Sequence, residues 1–132
     1  MRRHFLNPLL LAISFAASGA WAGDVYVIAG PGVNVSADEI RDIFMDEKQF
    51  AGNVKLVPID NTAVQANFLP KVTRLDAEKY TTIWVKKGFR EGLRPPMMRG
   101  GDAESIRAAK SAPGAIGYVS RAPVDVRIIH KF

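Results

Sequence analysis

Apolar and polar positions alternate with a changing period along this chain, and each change marks an element. Residues Val25 to Ala29 ("VYVIA") form an unbroken β-rich run closed by Gly30-Pro-Gly32, the pattern of a strand running into a turn. From Ser36 the period becomes helical. Ile40, Ile43 and Phe44 share one face, Asp38, Arg41 and Asp42 the other, and Ser36 with Glu39 forms a capping box. That helix is expected to end near Met45, and Asp46 to Asn53 reads as a loop. Val54 to Ile59 is a second strand, with Pro58 implying an edge position or interrupted pairing. Thr62 and Gln65 form a second capping box before a helix carrying Val64, Phe68 and Val72, which Pro70 should kink or shorten. Asp76 caps a third helix with Ala77, Tyr80, Ile83 and Trp84 inward, and Gly88 is expected to stop it. Lys86 to Gly101 reads as a loop. Asp102 opens a short fourth helix with Ile106 and Ala109. Pro113-Gly114 turns into the strand Ala115 to Val119, with Gly114 suited to positive φ and Gly117 to close packing or a bulge. Val124, Val126 and Ile128 alternate with Asp125 and Arg127 in a last strand.

Strands interleaved with helices predict an α/β domain with a largely parallel, helix-covered sheet. Ligands of such sheets gather at the carboxyl ends of strands, beside helix N-termini. Three segments qualify: the Gly30–Ser36 loop, the Asp60–Thr62 turn and the Arg99–Asp102 turn.

The N-terminal 22 residues change the picture. Arg2-Arg3 precedes an apolar core from Phe5 to Phe15, and Ala20-Trp21-Ala22 follows. A charged start, a short apolar core and an A-x-A site form the pattern of a cleaved secretory signal peptide. The core is shorter than the roughly 20 residues of a membrane span. The mature chain is then residues 23–132, one domain by length. Cysteine is absent, so disulfides and thiolate chemistry are excluded, and export without disulfides fits the bacterial periplasm. The two histidines are His4 and His130, too few for a zinc site or a histidine-based triad. Without Arg2 and Arg3 the chain carries 16 Lys and Arg against 13 Asp and Glu. That mild excess fits an acidic partner or an anion, and export argues against nucleic acid.

The helix "VSADEIRDIFMDE", the strand ending "VPID", the segment "NFLPKV", the helix bearing Trp84 and above all "PGAIGYVS" together resemble the phosphate-type periplasmic solute-binding proteins of ABC transporters. The likeness runs from about Val25 to Ala122. It implies a single lobe of a type 2 periplasmic-binding-protein-like fold, helices on a mostly parallel mixed sheet. Val25–Ala29 and the strands from Ala115 onward would correspond to the hinge crossovers. The family's first lobe has no counterpart here. The family's turn after the second strand holds phosphate with an arginine and a Ser-Gly-Thr run. Here that turn is Ile59-Asp-Asn-Thr62, so only Thr62 carries over, and Asp60 would repel a dianion.

Each candidate has a plainer reading beside it. Asn61 and Thr62 are either oxyanion donors or turn and cap residues. Arg99, Gly100 and Gly101 can offer a guanidinium fork and backbone amides to one oxyanion. Lys86, Lys87, Arg90 and Arg94 form either a solvated face or a patch for an acidic partner. Met97-Met98 is either an exposed contact or core filler. Phe44, Phe50, Phe68, Tyr80, Trp84 and Tyr118 read as core. No nucleophile–base pair or metal-spaced carboxylate cluster is present, so the sequence argues against an enzyme and calls for no cofactor. Two functions follow as expectations. One is a periplasmic lobe binding phosphate or a similar oxyanion weakly for uptake or sensing. The other is a ligand-free module of the same fold acting on an envelope protein or on a second copy of itself.

Overall fold

A computed structural model describes residues 23–132, and the expected signal peptide lies outside the described residues. The elements are β1 (Tyr26–Ala29), α1 (Ala37–Phe44), β2 (Phe50–Ala51), β3 (Val54–Lys55), β4 (Val57–Asn61), α2 (Gln65–Val72), α3 (Ala77–Glu91), β5 (Met97–Arg99), α4 (Asp102–Ser111), β6 (Ala115–Val119) and β7 (Arg127–Lys131). Five strands form one sheet in the order β5-β4-β6-β1-β7, and β2 and β3 form a separate hairpin. β4 is parallel to β5 and β6, while β1 is antiparallel to β6 and β7. Four strands therefore point one way and β1 runs against them. The expectation of an α/β domain with a mixed, mostly parallel sheet holds.

Strand alternation sorts the core into two layers. Val27, Ala29, Ile116 and Tyr118 face the helices α1, α2 and α3, with Ile40, Phe44, Phe68 and Trp84 packed on them. Ile28, Ile59, Ala115 and Val119 face the opposite way, toward Ala108 and Ala109 of α4. The Phe68 ring stacks on Tyr118 at 3.8 Å, and Phe44 meets Phe68 edge-on at 4.8 Å, which centres the larger layer on an aromatic cluster.

Several elements depart from the sequence reading. The stretch read as a loop before Val54 contains half of the β2–β3 hairpin, and its Phe50 is exposed rather than core. Pro58 sits where β4 pairs only with β6, because β5 begins its pairing at Ile59, so the missing N–H breaks no ladder bond to β5. The Thr62–Gln65 capping box does not form. Val64 is the N-cap of α2 without a side-chain bond, and the Asn61 side chain accepts instead from the Ala63 amide. Helix α3 passes through Gly88 and stops at Gly92, whose φ of 68° makes the left-handed cap. Lys86 to Glu91 is therefore helix, not loop, and Met97 to Arg99 is a strand. Gly117 lies in regular register opposite Ile28 without a bulge; the sheet's irregularity is in the β1–β7 pairing, between Val27 and Ile28. Val124 and Val126 precede β7 rather than belong to it. No helix among the described residues is long and apolar enough to cross a membrane.

Candidate functional site

The antiparallel direction of β1 divides the three predicted ligand segments. Ala29 pairs with Ile116 at the start of β6, so the Gly30–Ser36 loop lies at the opposite end of the sheet from the other two. The Asp60–Thr62 and Arg99–Asp102 turns do meet. Asn61 and Arg99 end adjacent parallel strands, and the Thr62 amide donates to the Arg99 carbonyl at 3.0 Å. Ser120, just past β6, completes this end.

Two of the donors expected to receive an oxyanion, Asn61 and the Gly100 amide, are engaged by the chain's own carboxylates, as is Ser120 beside them. Asn61 is fully buried, and its Nδ2 donates to Asp102 Oδ1 at 2.9 Å and to the Tyr118 carbonyl at 3.0 Å. The Ser120 hydroxyl donates to Asp102 Oδ2 at 2.6 Å, and the Ser120 amide reaches both Asp102 oxygens at 3.1 Å. The Gly100 amide donates to Glu104 Oε2 at 2.9 Å. The Gly101 carbonyl receives the Ser105 amide and hydroxyl. Asp102 is thus no cap of its own helix. It is the first residue of α4, and it joins the α4 start to the ends of β4 and β6. The Asp102 carboxylate also balances the positive end of the α4 dipole. Asp102→Ala is expected to lower stability by about 2 kcal/mol, because it strips a charge-assisted acceptor from Ser120 and a buried amide. Urea denaturation measures this. A loss under about 0.5 kcal/mol, the usual bound for a surface change, would show that the contacts do little.

Arg99 points elsewhere. It lines a depression of about 240 Å³ with Glu104, Arg107, Ala108 and Ser111, and its Nε is buried without a hydrogen-bond partner. Thr62 is exposed at the strand end.

The other polar focus was read from the sequence only as a repulsive charge. Asp60 is buried on the α2–α3 side of the sheet, where Oδ2 accepts from the Tyr80 hydroxyl and Oδ1 from the Tyr118 hydroxyl, both at 2.8 Å. Burial raises the Asp60 carboxyl above its ordinary range, against the two tyrosine bonds, which pull it down. Burial and the adjacent carboxylate raise both tyrosines as well, so they stay protonated donors. These partners lie 20 and 58 residues from Asp60, and no local motif announces them.

This triad lies under a groove of about 530 Å³ between α3 and the segment 93–98. Tyr80, Trp84, Gly88, Leu93, Pro96 and Met98 line it, with Asp60 at its base. Trp84 Nε1 is buried; although it lies near enough to the Tyr80 hydroxyl to ease that group's shift, it makes no hydrogen bond of normal geometry. Met97 and Met98 are exposed rather than core filler, and Met98 lines the groove. On the α3 side the groove is bounded by an apolar ridge of Val85, 53% exposed, and Phe89, 89% exposed. Sequence reasoning missed this ridge because ending the helix at Gly88 hid the Val85–Phe89 i, i+4 spacing. Lys86, Lys87, Arg90 and Arg94 belong to this region and not to the oxyanion donors. The Lys87 Nζ lies 5.8 Å over the Trp84 ring.

Comparison with protein-family models and with curated proteins returned no match.

Proposed function

We propose that this chain is an exported, periplasmic α/β module, resembling one lobe of the phosphate-type solute-binding proteins, that works by contact with another envelope protein rather than by trapping an oxyanion. The observation that carries this reading is that Asp102 and Glu104 already occupy Asn61, Ser120 and the Gly100 amide. A phosphate arriving at Gly100, Asn61 or Ser120 would have to displace a covalently tethered carboxylate and then lie beside its charge, a repulsion of several kcal/mol at partly buried separations. The exposed apolar ridge and groove supply what a binding module needs instead, since large exposed apolar patches mark interaction surfaces.

A second reading keeps weak oxyanion binding. It rests on Arg99 and Arg107 sharing one depression, with Arg99 Nε unpartnered. Calorimetric titration of phosphate into residues 23–132 at low salt, with sulfate as control, separates the two. The partner reading predicts no saturable heat up to millimolar phosphate. Micromolar, phosphate-selective binding would overturn it, and loss of that binding in Arg99→Ala would put the ion at Arg99.

A further inference from the structure

We infer that the α3 ridge and the groove beside it form a docking surface for an amphipathic segment of a partner protein, apolar on one side and carrying Asp or Glu along its edge. This rests on the partner reading above and names the surface and the chemistry it takes.

Helical spacing arranges α3 in parallel stripes, each residue turned by about 100° from the last. Tyr80 and Trp84 are buried and face the sheet. Gly88 and Thr81 line the groove. Val85 and Phe89 crest the ridge, one turn apart. Lys86 and Arg90, also one turn apart, follow on the ridge's far side. Arg94 is exposed in the segment that follows α3. Lys86 and Arg90 therefore flank the apolar strip along its far side. Among the described residues none of Lys86, Lys87, Arg90 and Arg94 takes part in an ion pair. Glu91 is the single carboxylate within residues 86–94.

Three features select the occupant. Phe89 lines the groove with Val85 yet is 89% exposed, so an occupant that covers the ring must fill the groove and also extend over its crest. The groove is concave, so a flat bilayer resting on the ridge would leave about 530 Å³ beneath it unfilled. The flanking charge is positive, which favours acidic edges on the incoming chain and repels basic ones. An amphipathic segment meets all three conditions, with anchors at i, i+3 or i+4 in the groove and carboxylates over Lys86 and Arg90. The exposed Met98 of β5 gives the wall an adaptable lining.

The test starts from a displayed library of random peptides of about 15 residues, four helical turns, selected on residues 23–132, which contain the whole described fold. Trp84 is the only tryptophan in that span and lines the groove, so its emission reports occupancy directly. Enriched peptides are expected to combine acidic and apolar residues at helical spacing, to shift Trp84 emission saturably, and to weaken as salt rises. Phe89→Ser and the pair Lys86→Glu, Arg90→Glu are expected to weaken binding about tenfold or more, as at interface hot spots. These side chains are exposed, so an unchanged thermal melt checks that the variants fold. Enrichment of nothing, or of peptides without carboxylates, or binding that survives Phe89→Ser, overturns the inference. So does Phe89-dependent binding to vesicles of equimolar phosphatidylglycerol and phosphatidylcholine in place of peptides, which would make the face a membrane surface. If peptides fail while phosphate gives no heat, only this surface falls; if phosphate binds selectively, the partner reading itself falls.

Discussion

Gly114→Ala is expected to abolish folding or to destabilise the protein by more than about 3 kcal/mol. Gly114 turns the chain from α4 into β6 at φ 79°, where an L-residue is strained by about 1–2 kcal/mol. Its α-carbon also faces the β3 backbone. An added methyl would overlap the Lys55 carbonyl oxygen outright, stand 2.9 Å from Val54 Cγ1 and 3.0 Å from the Lys55 carbonyl carbon. Backbone cannot swing aside as a flexible side chain can, and overpacking adds about 1–3 kcal/mol or more. The Gly114 carbonyl also receives the Val57 amide at 2.8 Å, so moving the turn would unsettle the start of β4. Gly92 supplies the control. Its φ is 68°, but nothing lies within 4 Å of an added Cβ. Gly92→Ala should therefore lose only the conformational term, about 1 kcal/mol. Denaturation of the two variants side by side checks the argument, and equal losses would contradict it.

Asp60→Ala is expected to remove about 3 kcal/mol. It leaves the Tyr80 and Tyr118 hydroxyls buried without an acceptor, at roughly 1–3 kcal/mol for each orphaned group. Asp60→Asn should be milder, because its oxygen still accepts from one hydroxyl and its amide can donate to the other. The aspartate also gives the protein a pH dependence opposite to that of a surface carboxylate. Burial raises its folded-state pKa above the unfolded one, so the folded state holds the proton more tightly. The contribution of Asp60 to stability is then full below the unfolded pKa and falls as pH rises through the folded pKa. The stability difference between wild type and Asp60→Asn, followed by denaturation as pH rises from about 4, near the unfolded aspartate value, should move against the wild type. A flat difference would mean that the tyrosine bonds cancel the effect of burial.

The elements visible in the sequence were those fixed by local chemistry. Ser36 and Asp76 cap α1 and α3 by accepting the amides of Glu39 and Lys79, because a cap is decided within four residues. Positive φ at Gly114 was legible for the same reason. The β1, β4 and β6 runs were visible through their apolar, β-branched content. The failures were non-local. Thr62 lost its capping role because Asn61, held by Asp102 from 41 residues away, fixes the turn and takes the Ala63 amide. Gly88 looked like a stop signal, yet the helix continues to Glu91 and the left-handed cap falls at Gly92, after which the chain folds back beside α3. That return builds the groove. The site was half legible: the meeting of Thr62 with Arg99 followed from parallel-sheet geometry, while the carboxylates that fill the donor set did not. Asp102 read only as the start of a helix, and only the sheet order brings Ser120 and Asn61 to it.

The central claim is that this end of the sheet carries its own anions. Amide NMR of the nitrogen-15-labelled protein during phosphate titration tests it at the atoms concerned. The Gly100, Thr62 and Ser120 amide resonances should stay in place up to millimolar phosphate, since Glu104, the Arg99 carbonyl and Asp102 already hold those donors. Saturable, phosphate-selective shifts of Gly100 and Ser120 at micromolar concentrations would contradict it and return the protein to the oxyanion binders.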